Sequence, residues 1–201
     1  MGALVLPEGH FQAFLFDLDG TVADTIPLHY RSWIEALADH DATFPPALFD
    51  SMNGLTLPKT VEVLNETYGL TMPVEAVLKR KEALYLALLP SITGVPDVLE
   101  VIAEHHGRIP FAIVSGSPRS GIEATLALLG LRDRFDVVVG QEDYVNGKPD
   151  PEPFLIAAKK LGVAPEACLV FEDADAGIES AKAAKMAWVR VYRAPTVAIS
   201  R

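Results

Sequence analysis

The chain has 201 residues, of which 50% are hydrophobic and 22% are charged, and its formal net charge at pH 7 is −10. This composition excludes a disordered chain and allows one domain, or a core with a small insert. No apolar run reaches the roughly 20 residues that span a bilayer, and no Lys and Arg cluster is suited to a nucleic-acid backbone, so we expect neither partner.

Five short runs rich in β-branched and aromatic residues predict buried strands. Single helical patterns separate the later runs, and this alternation predicts an α/β fold, a Rossmann-like parallel sheet with helices on both faces. The predicted strands are Phe11 to Phe16, Ile109 to Val114, Phe135 to Val139, Cys168 to Phe171 and Trp188 to Tyr192.

About 90 residues separate the first two predicted strands, far more than one crossover helix needs. The pattern there is helical, and prolines and glycines punctuate its breaks. We therefore predict an α/β core of residues 1–25 and 93–201 and an inserted α-helical cap of residues 26–92.

The first chemical motif, Asp17-Leu18-Asp19-Gly20-Thr21, follows the first predicted strand. Ligands of open parallel sheets bind at the carboxyl ends of the strands, so both carboxylates are candidates for catalysis. A plain Asp-Gly turn is the alternative for the motif alone. A calcium loop is excluded, because Val22 and Leu28 stand where that loop requires Gly and Glu.

Ser115-Gly116-Ser117-Pro118 ends the second strand and starts a helix. We predict Ser117 as the N-cap and Pro118 as the first helical residue, with backbone N–H groups and the Ser115 hydroxyl forming a phosphate cradle. Any strand-to-helix turn favours such residues, so the motif is weak by itself.

Lys148 lies in Gly147-Lys148-Pro149-Asp150-Pro151, just before a helix with Asp150 as the predicted N-cap. A fixed ammonium suits a phosphoryl group beside a carboxylate nucleophile. The alternative is a solvated loop lysine.

Glu172 and Asp173 directly follow the fourth predicted strand, and Asp175 comes next before a helix. Adjacent acids at a strand end would repel each other unless a cation lies between them and Asp17, and hard oxygen ligands suit Mg²⁺. Helix capping is the alternative, but Asp175 serves it better.

These four motifs, in this order and each near a strand end, resemble the haloacid dehalogenase superfamily. The insert resembles its helical cap of the first type. The stretch Phe171 to Ile178, Gly147-Lys148-Pro149 and Asn53-Gly54 are similar to the beta-phosphoglucomutase-like branch, and within it to bacterial fructose-1-phosphatases.

The resemblance implies that Asp17 attacks phosphorus and that Asp19 serves as general acid and base. It also implies phosphoryl binding by Ser115, Gly116 and Lys148. The implied Mg²⁺ ligands are Asp17, the Asp19 carbonyl, Glu172 and Asp173.

In the cap, the resemblance implies substrate contacts for Asn53, Gly54, Lys81 and His29. The alternative for Lys81 is a solvated charge, and the alternative for His29 is a surface residue on the helix. Arg119 is a further candidate contact, or a solvent-facing helix residue.

Mutases of this branch carry an arginine three residues after the cap glycine, where this chain has Leu57. We therefore expect a phosphatase acting on a small sugar phosphate such as fructose 1-phosphate. A beta-phosphoglucomutase-type isomerase is the alternative, and a binding protein that has lost the chemistry is a third hypothesis.

The single cysteine, Cys168, excludes an internal disulfide and fits a reducing compartment, and the N-terminal apolar stretch is too short for a signal peptide. We expect a cytoplasmic monomer or weak homodimer whose partner is a small phosphorylated metabolite.

Overall fold

The computed structural model describes residues 4–40, 42–52, 55 and 57–192. The chain forms two compact units. The described part of the first unit covers residues 4–24 and 93–192, and that of the second covers residues 25–92 apart from the gaps.

The first unit contains a five-stranded parallel sheet, which confirms the predicted α/β fold class. Four helices accompany the sheet. In chain order the elements are β1 (Ala13–Phe16), α5 (Pro96–His105), β2 (Phe111–Val114), α6 (Arg119–Leu128), β3 (Val137–Val139), α7 (Glu152–Leu161), β4 (Cys168–Glu172), α8 (Asp175–Ala183) and β5 (Ala187–Arg190); the first four helices of the chain belong to the second unit.

Both faces of the sheet are buried, and alternate residues of β1 supply the two sides of the core. Ala13 and Leu15 pack in one hydrophobic cluster with α7 and α8. Phe14 and Phe16 point to the opposite face, where Phe16 stacks on Phe171 with ring centroids 4.5 Å apart. Because β1 is buried on both faces, its apolar run is nearly continuous.

The observed strands are shorter than the predicted runs, except that β4 extends one residue further, to Glu172. Strand β2 begins at Phe111 rather than Ile109; Pro110 has no N–H for the ladder, although its carbonyl accepts a hydrogen bond from the Phe14 N–H. Phe135 lies before β3 but is still buried against the aromatic face. The apolar runs therefore include core residues that pack without joining the sheet.

The strand order β3-β2-β1-β4-β5 places β1 at the centre, with β2 on one side and β4 on the other. The chain extends the sheet from β1 through β2 to β3, then returns to the far side of β1 for β4. Such a reversal opens a crevice beyond the carboxyl ends of the two strands. Asp17 follows β1 and Glu172 ends β4, so both residues stand at this crevice.

The second unit is helical. Its elements are α1 (Ile26–Ala38), α2 (Pro46–Ser51), α3 (Leu57–Tyr68) and α4 (Val74–Leu88). The unit has its own hydrophobic cluster, which includes Trp33, Phe44, Val61, Leu64 and Val77. In the described part of the chain, no helix is long and apolar enough to cross a membrane.

Candidate active site

Three of the predicted acids meet at the carboxyl edge of β1 and β4. Carboxylate oxygens of Asp17, Glu172 and Asp173, one from each residue, lie within 4.8 Å of one another. The Asp17 N–H donates to the Phe171 carbonyl at 3.0 Å, which fixes the end of β1 against β4. The parallel register of the two strands therefore brings residues from opposite ends of the sequence into one cluster.

Lys148 supplies the cation of this cluster. Its Nζ lies 2.7 Å from Asp17 Oδ1, 2.7 Å from Glu172 Oε2 and 3.0 Å from the Val114 carbonyl oxygen. These three acceptors match the three N–H donors of an ammonium group. The Lys148 side chain is only 15% exposed, so the alternative of a solvated loop lysine is wrong.

Two glycines make room for the acids. Gly20 has φ +91°, and a Cβ placed there would lie 2.6 Å from Asp173 Oδ2. A Cβ on Gly177 would lie 1.9 Å from Glu172 Oε2. Glycine is thus needed at residue 20 for backbone conformation and space, and at residue 177 for space.

The cluster shifts the ionisation of its own members. Burial raises the pKa of Asp17 well above its usual range, and the neighbouring carboxylates, first Glu172, raise it further, while the Lys148 ammonium opposes them. Burial alone would lower the pKa of Lys148, but the attraction and hydrogen bonds of Asp17 and Glu172 outweigh it and raise that pKa. Lys148 is therefore a permanent cation at neutral pH.

The segment after β2 faces Asp19. The Ser117 hydroxyl donates to Asp19 Oδ2 at 3.0 Å, and the Ser117 N–H donates to the Ser115 hydroxyl oxygen at 3.0 Å. Ser115 is buried, whereas Gly116 is exposed. The structure therefore brings Asp19 and the predicted phosphate cradle together through Ser117.

The predicted helix starts at these loops differ from the observed ones by one residue. Helix α6 begins at Arg119 with Pro118 as its cap, because the Ser117 hydroxyl is bound to Asp19. The Arg119 N–H donates to the carboxylate of Glu142, so a protein anion already occupies this helix terminus. Phosphate binding by the Ser115 hydroxyl and the Gly116 N–H stays a prediction.

Helix α7 also begins one residue later than its predicted cap implied, whereas helix α8 begins one residue earlier. Helix α7 begins at Glu152 after Pro151, although the Asp150 carboxylate does accept the Glu152 N–H at 2.9 Å. Helix α8 has Ala174 as its cap, and Asp175 is its first residue. Asp175 pairs with Arg190 of the edge strand instead of capping the helix.

The Arg119 side chain is 43% exposed but also has partners within the protein. Its guanidinium donates to Asp143 Oδ2 at 2.6 Å and to the Val138 carbonyl at 2.9 Å. These contacts tie α6 to the end of β3. A substrate contact for Arg119 stays a prediction.

Within the helical unit, the structure brings His29 and Lys81 together. Lys81 Nζ lies 3.0 Å from His29 Nδ1, and the His29 ring stacks on Tyr85 with centroids 4.2 Å apart. Lys81 is 2% exposed, so the solvated alternative is wrong for it. Asn53 and Gly54 lie outside the described residues.

The helical unit also contains a cavity of about 170 Å³. The His29 and Lys81 pair and the Leu57 side chain are in its wall, together with aromatic residues such as Trp33. Most of the wall is therefore apolar. The roles of His29 and Lys81 toward a substrate stay predictions.

Two residues at the site were missed by the sequence analysis. The Tyr144 hydroxyl donates to the Ser115 carbonyl at 3.2 Å, and the Thr21 hydroxyl donates to Asp173 Oδ1 at 3.4 Å. Thr21 is part of the first motif, but no role was predicted for it. Tyr144 lies in an irregular segment with no periodic pattern to single it out.

The acidic cluster fits a divalent cation. Three carboxylates on two neighbouring strand ends form a hard oxygen donor set, and the Lys148 ammonium contacts two of them. Asp17, Glu172 and Asp173 are the residues that would hold the ion. A carbonyl ligand from Asp19 stays a prediction.

Comparisons with known proteins agree with this site. The chain is 37% identical over 177 residues to the fructose-1-phosphate phosphatase YqaB of Escherichia coli, covering 88% of this chain and 94% of that protein. It is 31% identical over 177 residues to a phosphorylated carbohydrates phosphatase of Thermotoga maritima, covering 86% and 81% of the two chains.

A solved structure, the beta-phosphoglucomutase of Clostridium difficile, superimposes with a TM-score of 0.71 at 28% identity, covering 89% of this chain and 83% of that one. The family model of haloacid dehalogenase-like hydrolases matches residues 11–185, which include every motif of the acidic site. The predicted resemblance is thereby confirmed, and the chain belongs to the haloacid dehalogenase-like hydrolases.

Proposed function

We propose that the chain is a Mg²⁺-dependent phosphatase of a small sugar phosphate, with fructose 1-phosphate as the first candidate substrate. The observation that carries the proposal is the contact of Asp17 Oδ1 with Lys148 Nζ at 2.7 Å, beside the carboxylates of Glu172 and Asp173. On this proposal Asp17 is the nucleophile, Lys148 is a fixed cation, and Asp17, Glu172 and Asp173 are the metal ligands, all at one edge of the sheet. The similarity to the Escherichia coli phosphatase supports this substrate.

In the first half of the reaction, an Asp17 carboxylate oxygen forms a bond to phosphorus while the bond from phosphorus to the ester oxygen breaks. Asp19 gives its proton to the leaving alkoxide. Lys148, the Ser115 hydroxyl and the Gly116 N–H stabilise the phosphoryl oxygens. The products are an aspartyl phosphate and a free alcohol.

In the second half, water attacks the phosphorus of the aspartyl phosphate and Asp19 takes a proton from it. The bond from Asp17 to phosphorus breaks, so inorganic phosphate is released and the Asp17 carboxylate is restored. Asp19 ends the cycle protonated, ready for the next leaving group.

Mg²⁺ held by Asp17, Glu172 and Asp173 would neutralise phosphoryl charge and favour the ionised form of Asp17. Rigid carboxylates at strand ends suit the near-octahedral geometry that Mg²⁺ demands. The absence of a Cβ at Gly177 and Gly20 leaves space for the Glu172 and Asp173 carboxylates at these positions.

We propose the helical unit as a cap that selects the substrate, with His29 and Lys81 as its polar contacts. The Lys81 ammonium is buried beside an apolar cavity, which suits a neutral sugar carrying one phosphate. Cytoplasmic location and a monomer or weak homodimer remain part of the proposal.

The test is phosphate release from a panel of hexose, pentose and triose phosphates with Mg²⁺ present. The D17N variant should lose activity on every substrate and keep its fold by circular dichroism. The exposed Asp133 offers a matched control, because D133N makes the same chemical change outside the site. Undiminished turnover by D17N would refute the proposal.

The similarity to beta-phosphoglucomutase makes an isomerase the second candidate. Leu57 speaks against it, since the resemblance predicts an arginine there for a second phosphate and the residue instead lines an apolar cavity. A coupled assay on β-glucose 1-phosphate separates the two. Formation of glucose 6-phosphate faster than free phosphate would favour the isomerase.

A further inference from the structure

Ser117 links the general acid and base to the phosphate cradle. Its hydroxyl donates to Asp19 Oδ2 at 3.0 Å, and its N–H donates to the Ser115 hydroxyl oxygen at the same distance. The sequence pattern predicted this side chain as the helix cap, but the observed cap is Pro118 and α6 begins at Arg119. The hydroxyl therefore has another role than starting the helix.

The Ser117 backbone is held independently of its side chain. Its N–H is bound to Ser115, and its carbonyl accepts the Gln141 N–H at 3.1 Å. Replacing the side chain by a methyl group leaves both bonds possible. The S117A variant should therefore keep the cradle and lose only the contact with Asp19.

A serine hydroxyl can follow Asp19 through the proposed cycle. It donates to the carboxylate when Asp19 is ionised, and its oxygen can accept from the carboxylic acid when Asp19 is protonated. We propose that Ser117 is a positioning residue that keeps the Asp19 carboxyl turned toward the leaving oxygen, an inference that rests on the proposed function.

Two substrates with different leaving groups distinguish this role from a general structural one. A sugar alkoxide needs a proton as it leaves, whereas p-nitrophenolate leaves without one. Loss of Asp19 positioning should therefore slow formation of the aspartyl phosphate from the sugar phosphate selectively. Hydrolysis of that intermediate, in which Asp19 is the base, is common to both substrates and does not distinguish them. Damage to the cradle or to metal binding would slow both reactions alike.

The experiment measures kcat and KM for fructose 1-phosphate and p-nitrophenyl phosphate with wild type, S117A and S120A. Ser120 is exposed on α6 and is the matched control. We expect S117A to lower kcat/KM for fructose 1-phosphate, which covers the steps up to loss of the alcohol, about tenfold, a part of what acid catalysis provides. It should change kcat/KM for p-nitrophenyl phosphate less than about twofold. S120A should match wild type on both substrates.

A second measurement uses the D19N background, where the proton donor is already absent. S117A should cause no further loss there, because the two side chains act as one unit. An equal fall on both substrates, an unchanged sugar-phosphate rate, or an additive loss in D19N would overturn the inference alone. A folded wild-type chain that hydrolyses neither ester would overturn the proposed function, and this inference with it.

Discussion

Replacing Gly177 by alanine should separate the stability of the fold from the integrity of the acidic site. Glycine in a helix costs about 1 kcal/mol relative to alanine, so G177A has a stabilising component. The new Cβ, however, would lie 1.9 Å from Glu172 Oε2 and 2.1 Å from its Cδ. The Glu172 carboxylate must move out of its present position.

Moving the Glu172 carboxylate would break two hydrogen bonds. Its two oxygens accept hydrogen bonds from Lys148 Nζ at 2.7 Å and from the Ala174 N–H at 3.1 Å, and its side chain is 2% exposed. Hydrogen bonds to charged groups contribute about 1.5 kcal/mol or more each. The loss of both hydrogen bonds, less the gain in helix propensity, leaves a net destabilisation of about 2 kcal/mol. This lowers Tm by roughly 4–8 °C for a chain of this size.

Gly121 provides the control, because it is also the third residue of its helix and a Cβ there meets nothing within 4 Å. G121A should raise Tm by about 2–4 °C and leave phosphate release unchanged. G177A should raise the Mg²⁺ concentration for half-maximal phosphate release at least about tenfold. A G177A variant with the Tm gain of G121A and normal Mg²⁺ dependence would refute the reasoning.

Three further predictions concern pH, thiol chemistry and metal removal. Burial opposes ionisation of Asp143, but the Lys160 hydrogen bond, the Gly140 N–H and the Arg119 charge outweigh it and lower its pKa. Its stabilising effect is therefore complete above its unfolded pKa of about 4 and is lost as pH falls through the lower folded value. Urea unfolding should show D143N less stable than wild type at pH 7 and a shrinking difference below pH 4; a constant difference would contradict this. Burial raises the pKa of Cys168 to about 11, so about one thiol in a thousand is ionised at pH 8. A disulfide reagent should therefore react fully with Cys168 only after unfolding, and complete reaction of the native chain within minutes would contradict this. EDTA should reduce phosphate release at least about a hundredfold and added Mg²⁺ should restore it, whereas full activity in EDTA would argue against the metal.

The sequence was sufficient for the strand ends but not for the direction of the side chains around them. Asp17, Lys148 and Glu172 were recognisable because each follows or ends a predicted strand or precedes a helix. Their meeting follows from parallel pairing of β1 with β4. The fold class and the helical segment were predictable because both depend on the periodicity of apolar residues along the chain.

The partners of Ser117 and Arg119 could not be predicted, because they come from distant parts of the chain. Ser117 satisfies every local preference for a helix cap, yet its hydroxyl is taken by Asp19, 98 residues earlier. Glu142 then occupies the helix amide that the cap would have used. Local propensity gives way wherever a tertiary partner offers a stronger hydrogen bond.

The net charge of −10 seemed to oppose binding of an anionic phosphate, and the site explains how both are compatible. Asp17, Glu172 and Asp173 present three carboxylates to the single ammonium of Lys148, whose three donors are already bound. When all three carboxylates are ionised, they carry three negative charges beside the one positive charge of Lys148. A phosphoryl group would be repelled by the bare cluster and attracted once a divalent cation is present. On the proposed function, substrate binding therefore depends on the metal, although the chain as a whole is acidic.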